Sequence, residues 1–224
     1  KERWNEAIEV YEEMETIGAL QGRGAEYYQK LGYALQKNKK YAEAIDAYLK
    51  ADTLKPDNIW NNRHLAICYR LNRNYQAALS YYKKVEEATP EDTNVIFHIG
   101  SCLAELGQYE EAANYFFKLD FIESNCIKAW RGIGWCSFIS RKYEQAMKYY
   151  EKIIEQKPLA IDYMNAGHVA WTMGDIQKAA ALYGKSITAN GNRERFLEMF
   201  RKDKEALLKQ GIQEEDIPLM LDLL

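Results

Sequence analysis

The sequence contains few residues that break helices and no long apolar run. Glycine and proline number only 13 and 4 among 224 residues, which is too few for a loop-rich all-β protein or a disordered chain. No apolar run approaches the roughly 18 residues that a transmembrane helix needs. The net charge of −3 disfavours a globally basic nucleic-acid-binding protein, although it leaves room for a local basic surface. The composition therefore indicates a helical protein with no membrane span.

Cysteine is also scarce, and the four cysteines form neither a C-x-x-C pair nor a Cys/His cluster. Cys68, Cys102 and Cys136 are each 34 residues apart, so they occupy the same position of a repeating unit. We expect each of them to fill a small buried position in the manner of alanine. Unpaired thiols favour a reducing compartment such as the cytoplasm, but the sequence leaves the localisation unknown.

The motifs of common enzyme classes are missing. The sequence lacks G-x-G-x-x-G, G-x-x-x-x-G-K, H-E-x-x-H and G-x-S-x-G. The histidines His64, His98 and His168 are far apart in sequence, and one repeat separates His64 from His98, or about 10 Å by ordinary helix spacing. That distance is too long for both to bind one ion. The sequence predicts a noncatalytic protein with no metal ion or other cofactor.

A 34-residue repeat is the strongest signal that is present. Counted from Ala25, five positions of the repeat keep one residue character through four units: small at position 8, Tyr at 17, Ala at 20, aromatic at 24 and a helix terminator at 32. They are Gly32, Ala66, Gly100, Gly134; Tyr41, Tyr75, Tyr109, Tyr143; Ala44, Ala78, Ala112, Ala146; Tyr48, Tyr82, Phe116, Tyr150; and Pro56, Pro90, Ser124, Pro158. The apolar spacing predicts two amphipathic helices per unit, the second ended by proline.

These positions resemble the tetratricopeptide repeat, over about residues 1 to 190. The resemblance implies an all-α fold, a right-handed superhelical solenoid of antiparallel helix pairs with the first helices on its concave side. We predict a half repeat with a glycine-bearing link at 1–24, five repeats, and C-terminal capping helices at 193–224. The five repeats are 25–58, 59–92, 93–126, 127–159 and 160–192. Because the chain starts inside a helical pattern, we expect a fragment of a longer protein.

The first helices carry six basic and three acidic residues, a charge of +3 in a chain of net charge −3. Arginine and aromatic side chains suit peptide recognition, and both are interleaved on the predicted concave side, which also includes Gln36 and Trp60. The predicted partner-binding residues are Tyr33, Lys37, Arg63, His64, Ile67, Arg70, Asn94, Phe97, His98, Ser101, Lys128, Arg131, Trp135, Asn165 and His168. The predicted function is a protein–protein interaction scaffold that presents a concave groove to a peptide segment or partner protein, with an acidic or carboxylate-bearing partner fitting these charges.

A second interpretation stays open from the sequence. The chain could be a structural assembly module, in which the repeat edges and the apolar segment Ile217 to Leu224 mediate oligomerisation. Nucleic acid is disfavoured as a partner because the basic residues are interrupted by acidic ones. The identity of the partner, the biological process and the oligomeric state do not follow from the sequence.

Overall fold

The structure is a computed structural model that describes residues 2–16 and 24–224. The described residues form thirteen α-helices and no β-strand. The helices are α1 (Glu2–Thr16), α2 (Gly24–Lys37), α3 (Tyr41–Leu54), α4 (Ile59–Leu71), α5 (Tyr75–Ala88), α6 (Thr93–Glu105), α7 (Tyr109–Ile122), α8 (Ile127–Ile139), α9 (Tyr143–Ile154), α10 (Ala160–Thr172), α11 (Ile176–Asn190), α12 (Arg193–Lys209) and α13 (Asp216–Asp222). The predicted link after α1 falls on residues 17–23, which lie outside the described residues.

The chain divides into two compact units. Unit 1 is Lys1–Gly107 and contains α1 to α6, in which each helix contacts the next along the chain. Unit 2 is Gln108–Leu224 and contains α7 to α13, where α7 to α12 likewise contact one another in sequence order. Within each unit the two helices of a repeat (α2 and α3, α4 and α5, α8 and α9, α10 and α11) are joined by three residues, which is short enough to require an antiparallel turn. The predicted all-α fold of antiparallel helix pairs is confirmed.

The core includes three of the constant positions of the repeat, namely 8, 20 and 24. The alanines at position 20 and the aromatic residues at position 24 are almost completely buried in both units. The sequence suggests that the small residue at position 8 contacts the position-20 alanine. The structure shows a different neighbour: a Cβ atom at Gly32 would lie 2.8 Å from the Tyr48 ring, and one at Gly134 would lie 3.0 Å from the Tyr150 ring. Glycine at these two sites leaves room for the position-24 ring, which lies against the helix backbone, whereas the second repeat has Ala66 at position 8.

The C-terminal helices cover the last repeat. Phe196, Phe200 and Leu207 of α12 are buried, and α12 contacts both α10 and α11. Gly211 follows α12 with a φ of 102°, a left-handed conformation that suits glycine at a helix end. The four cysteines are unpaired and buried, as expected for residues that fill core positions. Within residues 2–16 and 24–224, the helices are all too short or too polar to cross a lipid bilayer.

Candidate functional site

Five aromatic and imidazole rings meet on the first-helix side of unit 1. We call Trp4, Tyr33, Tyr48, Trp60 and His64 the aromatic cluster. The Tyr33 ring centre lies 5.9 Å from that of Trp4 and 6.2 Å from that of Trp60. The Trp60 and His64 rings are 4.0 Å apart, and His64 stacks on Tyr48 at 5.6 Å. The cluster joins residues of α1, α2, α3 and α4 into one surface because each helix contacts the next.

The polar centre of this cluster is Gln36. Its side-chain oxygen accepts a hydrogen bond of 3.0 Å from the Tyr48 hydroxyl and lies 2.7 Å from His64 Nδ1. Burial, together with the smaller effect of the positive charges of Lys37 and Arg63, lowers the pKa of His64 to about 4. His64 is consequently neutral at pH 7, so it acts at this surface as a hydrogen-bonding group and not as a cation.

The outer edges of the cluster are open to solvent. Trp60 is 43% exposed and Trp4 is 36% exposed, and both contact the Tyr33 ring, so they form one apolar patch and not two isolated side chains. Lys37 is exposed, and its ammonium lies 5.0 Å from the centre of the Tyr33 ring. The cluster therefore presents two partly exposed indoles and one cation on the same side of unit 1.

The Arg63 guanidinium is engaged in an ion pair within unit 1. It lies 2.9 Å from an Asp92 carboxylate oxygen, and the same carboxylate accepts hydrogen bonds from the backbone N–H groups of Asn94 and Val95 at the start of α6. Burial opposes ionisation of Asp92, but the Val95 N–H and the Arg63 guanidinium outweigh it and hold the pKa of Asp92 below its usual value. Arg63, a predicted partner-binding residue, therefore already has an acidic partner within unit 1.

Arg70 remains without a carboxylate partner in the described part of the chain. Its guanidinium lies near the Tyr82 hydroxyl, whose pKa burial raises to about 12 while Arg70 opposes that shift. Together with Lys37, Arg70 forms the positive charge that unit 1 leaves uncompensated on its first helices.

The other predicted residues of unit 1 follow α4 and α6. Ile67 is half-buried, Asn94 is exposed at the start of α6, and the Ser101 hydroxyl donates to the Phe97 carbonyl at 2.8 Å. His98 stacks on Tyr82 at 5.4 Å and meets Phe97 edge-on at 5.4 Å. These residues extend the first-helix surface beyond the aromatic cluster, but they offer less exposed aromatic area.

In unit 2 the main cation is held by a buried carboxylate. Arg131 binds Asp162 through two hydrogen bonds of 2.7 Å each, and Asp162 also accepts the Leu159 N–H at 2.7 Å where α10 begins. The hydrogen bond to Asp162 raises the pKa of Arg131, since it favours the charged form. Arg131, a predicted partner-binding residue, therefore already has an acidic partner within unit 2, and Lys128 lies 3.3 Å from Glu123.

His168 lies in the core of unit 2, not on an open surface. It is fully buried, its Nδ1 lies 2.8 Å from the Tyr183 hydroxyl, and its ring packs against Phe200 of α12. The repeat pattern does not include α12, which is why sequence reasoning places His168 in the groove. Trp135 is half-buried beside Phe138, and Asn165 is half-buried with the Tyr150 hydroxyl nearby.

Three participants were missing from the sequence-based site. Trp4 belongs to the half repeat, so the position numbering did not reach it. Asp92 pairs with Arg63, and Asp162 pairs with Arg131. Only Asp92 is recognisable in the sequence, because it directly precedes a predicted helix, where an N-capping residue is expected. Within residues 2–16 and 24–224, no three His, Cys, Asp or Glu side chains are grouped so as to hold a metal ion.

Comparison with known families agrees with the helix pairs. Models described as tetratricopeptide repeat match residues 70–136 and, separately, residues 25–58, 127–158 and 163–193. Together these matches cover more than half of the chain, and the chain belongs to the tetratricopeptide-repeat family. The sequence has no match among curated proteins.

Solved structures show the same fold. YrrB, described as a TPR protein with an unusual peptide-binding site, is 20% identical with a TM-score of 0.67 and covers 83% of this chain and 97% of its own. MamA from Desulfovibrio magneticus RS-1 is 16% identical with a TM-score of 0.70, over 75% of this chain and 96% of its own. A tetratricopeptide repeat protein from Parabacteroides merdae is 19% identical with a TM-score of 0.62, over 100% and 99% of the two chains. At these identities the likeness concerns the fold.

Proposed function

We propose that this protein is a protein-interaction scaffold that binds a peptide segment of its partner against the aromatic cluster of unit 1. A repeat fold of this family supports a protein or peptide as the partner. The observation that carries the proposal is the partial exposure of Trp60 and Trp4 around Tyr33. Aromatic side chains contribute large contact area at low entropic cost, and they dominate binding energy in protein interfaces.

The charge of this surface supports an acidic or carboxylate-bearing segment. Arg63 is engaged by Asp92, so the cations that would contact the ligand are Lys37, which is exposed next to Tyr33, and Arg70. The low pKa of His64, about 4, means that this residue adds hydrogen bonding and no charge at pH 7. Two cations and an aromatic surface favour a segment with apolar residues next to one or two carboxylates. We expect micromolar affinity, or about −8 kcal/mol.

The arrangement in YrrB, a TPR protein with an unusual peptide-binding site, is consistent with this proposal only as an analogy of fold. The remaining predicted residues of unit 1, from Ile67 through Ser101, would provide further contacts to the segment, and those of unit 2, from Lys128 through Asn165, would contact a partner separately. Their contribution is secondary in the proposal because Lys128 and Arg131 already have acidic partners.

The test is a titration of the partner segment, identified by affinity capture and mass spectrometry with the full-length protein. Trp60→Ala is expected to weaken binding about tenfold, because it removes an exposed indole from the interface. Lys37→Glu is expected to weaken binding at low salt, with the difference shrinking as salt shortens the screening length below about 8 Å. Isothermal titration calorimetry measures both effects.

The matched control is Lys84→Glu. Lys84 is exposed on α5 and lies over the Tyr81 ring at 5.2 Å, as Lys37 lies over Tyr33 at 5.0 Å. The control therefore makes the same charge change at the same type of lysine–tyrosine contact, but on a second helix. Equal affinities for the wild type, Trp60→Ala and Lys37→Glu would contradict the proposed site.

A further inference from the structure

A second concave surface lies at the C-terminal end of unit 2. Between α12 and α13 there is a cavity of about 440 Å³, within the range of volumes that ligand-binding pockets usually have. Its apolar part includes Leu197, Phe200 and Ile217, and its edge includes three basic residues of α12, namely Arg193, Arg201 and Lys204. Asp222 is the acidic residue in its lining.

The basic edge follows from helix geometry. Residues 193, 197, 200, 201 and 204 recur at intervals of three and four, so they lie on one face of α12. That face is turned towards α13, where it leaves Leu197 and Phe200 in the cavity with cations on both sides. The cavity thus combines an apolar interior with a positively charged rim.

Two of the three cations already bind oxygen atoms of the protein. Arg193 donates to the Leu221 carbonyl at 2.7 Å, and Lys204 pairs with Glu214 at 2.6 Å. Arg201 is exposed and has no carboxylate partner within the described residues. A guanidinium in this position can bind a carboxylate through two parallel hydrogen bonds. The chemistry therefore favours a ligand with an apolar group and a carboxylate next to it.

We infer that the α12–α13 cavity is a docking site for an acidic segment of another protein, which inserts one large apolar side chain and places a carboxylate against Arg201. Charge complementarity identifies the occupant, because Arg201 lies exposed beside the apolar lining and, among the described residues, has no carboxylate partner. The site uses no residue of the aromatic cluster, so it is independent of the function proposed above. A chain with both sites would hold its partners at two separate places.

The probe is a fluorescein-labelled, N-acetylated peptide with phenylalanine and leucine between pairs of glutamates, Glu-Glu-Phe-Leu-Glu-Glu. Fluorescence anisotropy with the full chain measures its binding. Arg201→Glu is expected to weaken binding about tenfold by removing the carboxylate contact and adding repulsion. Replacing the glutamates of the peptide by glutamine, or its phenylalanine and leucine by alanine, is expected to weaken binding by a similar factor.

The matched control is Lys202→Glu, which makes the same charge change on the same helix at an exposed residue outside the cavity lining. It is expected to change the affinity less than twofold, and circular dichroism checks that both variants keep their helices. Equal weakening by Arg201→Glu and Lys202→Glu, or equal binding of the glutamine peptide, would overturn the inference. So would a concentration-dependent dimer in sedimentation velocity that Arg201→Glu dissociates while the peptide fails to bind, because the occupant would then be a second copy of this chain.

Discussion

In the first, fourth and fifth repeats, glycine at position 8 lets the aromatic ring of position 24 lie against the helix backbone. The contact is tightest in the fifth repeat, where a Cβ atom at Gly167 would lie 2.5 Å from the Tyr183 ring. Tyr183 is completely buried and packs against Phe196 and Phe200. Since neither the ring nor its neighbours have room to move, this position does not tolerate a larger residue.

We predict that Gly167→Ala lowers the free energy of unfolding by about 1–3 kcal/mol, because the added methyl group overpacks the core. The control is Gly184→Ala in α11, where an added Cβ atom meets no atom within 4 Å. That change is expected to be neutral or to stabilise by about 0.5–1 kcal/mol, because alanine favours helix more than glycine does. Urea denaturation of both variants measures the difference, and equal effects would contradict the packing described for Tyr183.

His64 makes the stability of unit 1 depend on pH. Its pKa is lowered to about 4 in the folded protein, whereas an unfolded histidine has a pKa of about 6.5. Between these values the unfolded chain binds a proton that the folded chain does not, so stability falls as the pH drops from about 6.5 to about 4. Below that range both states are protonated and no further loss arises from this residue.

His64→Gln is therefore expected to remove a loss of about 2 kcal/mol between pH 6.5 and pH 4, a magnitude reduced for the partial exposure of the ring. The measurement is the free energy of unfolding by urea at several pH values, with the pH 7.5 values as the reference. Parallel pH profiles for the wild type and the variant would show that His64 is not the group responsible.

At the scale of one helix, the start of α10 depends on Asp162. This buried carboxylate both accepts the Leu159 N–H and binds the Arg131 guanidinium of α8. Asp175 caps the next helix, α11, through its hydrogen bond from the Lys178 N–H at 2.9 Å, but it is exposed. Both aspartates cap a helix, but only Asp162 is buried and bound to an arginine.

Asp162→Ala is expected to lower the free energy of unfolding by about 3 kcal/mol, because it removes the cap and leaves a partly buried guanidinium without its partner. Asp175→Ala removes a cap alone and is expected to cost about 1 kcal/mol. The difference between the two losses of unfolding free energy measures the contribution of the Arg131–Asp162 pair. Thermal or urea denaturation of the two variants provides both losses. Equal losses in the two variants would mean that the pair adds nothing to the stability of the helix.

The sequence predicts the features that repeat every 34 residues but not the contacts made by residues outside that pattern. The second helices α3, α5, α7 and α9 begin at the tyrosines of position 17, because a 34-residue period fixes both the helix face and its start. The partners of Arg63 and Arg131 do not follow from that period, since each arginine reaches the start of the following repeat. The burial of His168 depends on α12, which has no counterpart in the repeat. Periodic features were predictable, and contacts made by nonrepeating residues were not.

At the scale of the whole molecule, the repeat fold supplies rigid first helices, and a small number of residues decide what they bind. The neutralised arginines remove much of the positive charge that the sequence suggested for the first helices. In the described part of unit 1, Trp4 and Trp60 of the aromatic cluster are left as the exposed large aromatic side chains. A partner of this scaffold is therefore expected to contact Trp60 and its neighbours.

Site-specific photo-crosslinking tests this claim most directly. The photoreactive residue p-benzoylphenylalanine replaces Trp60 in one sample and Lys84, on the second helix α5, in the other. After irradiation of the full-length protein in its own cells, mass spectrometry identifies the crosslinked peptides. We expect a partner peptide with apolar and acidic residues to be crosslinked at position 60, and few adducts of that peptide at position 84. The same adducts at both positions, or partner adducts at position 84 alone, would contradict a binding surface at the aromatic cluster.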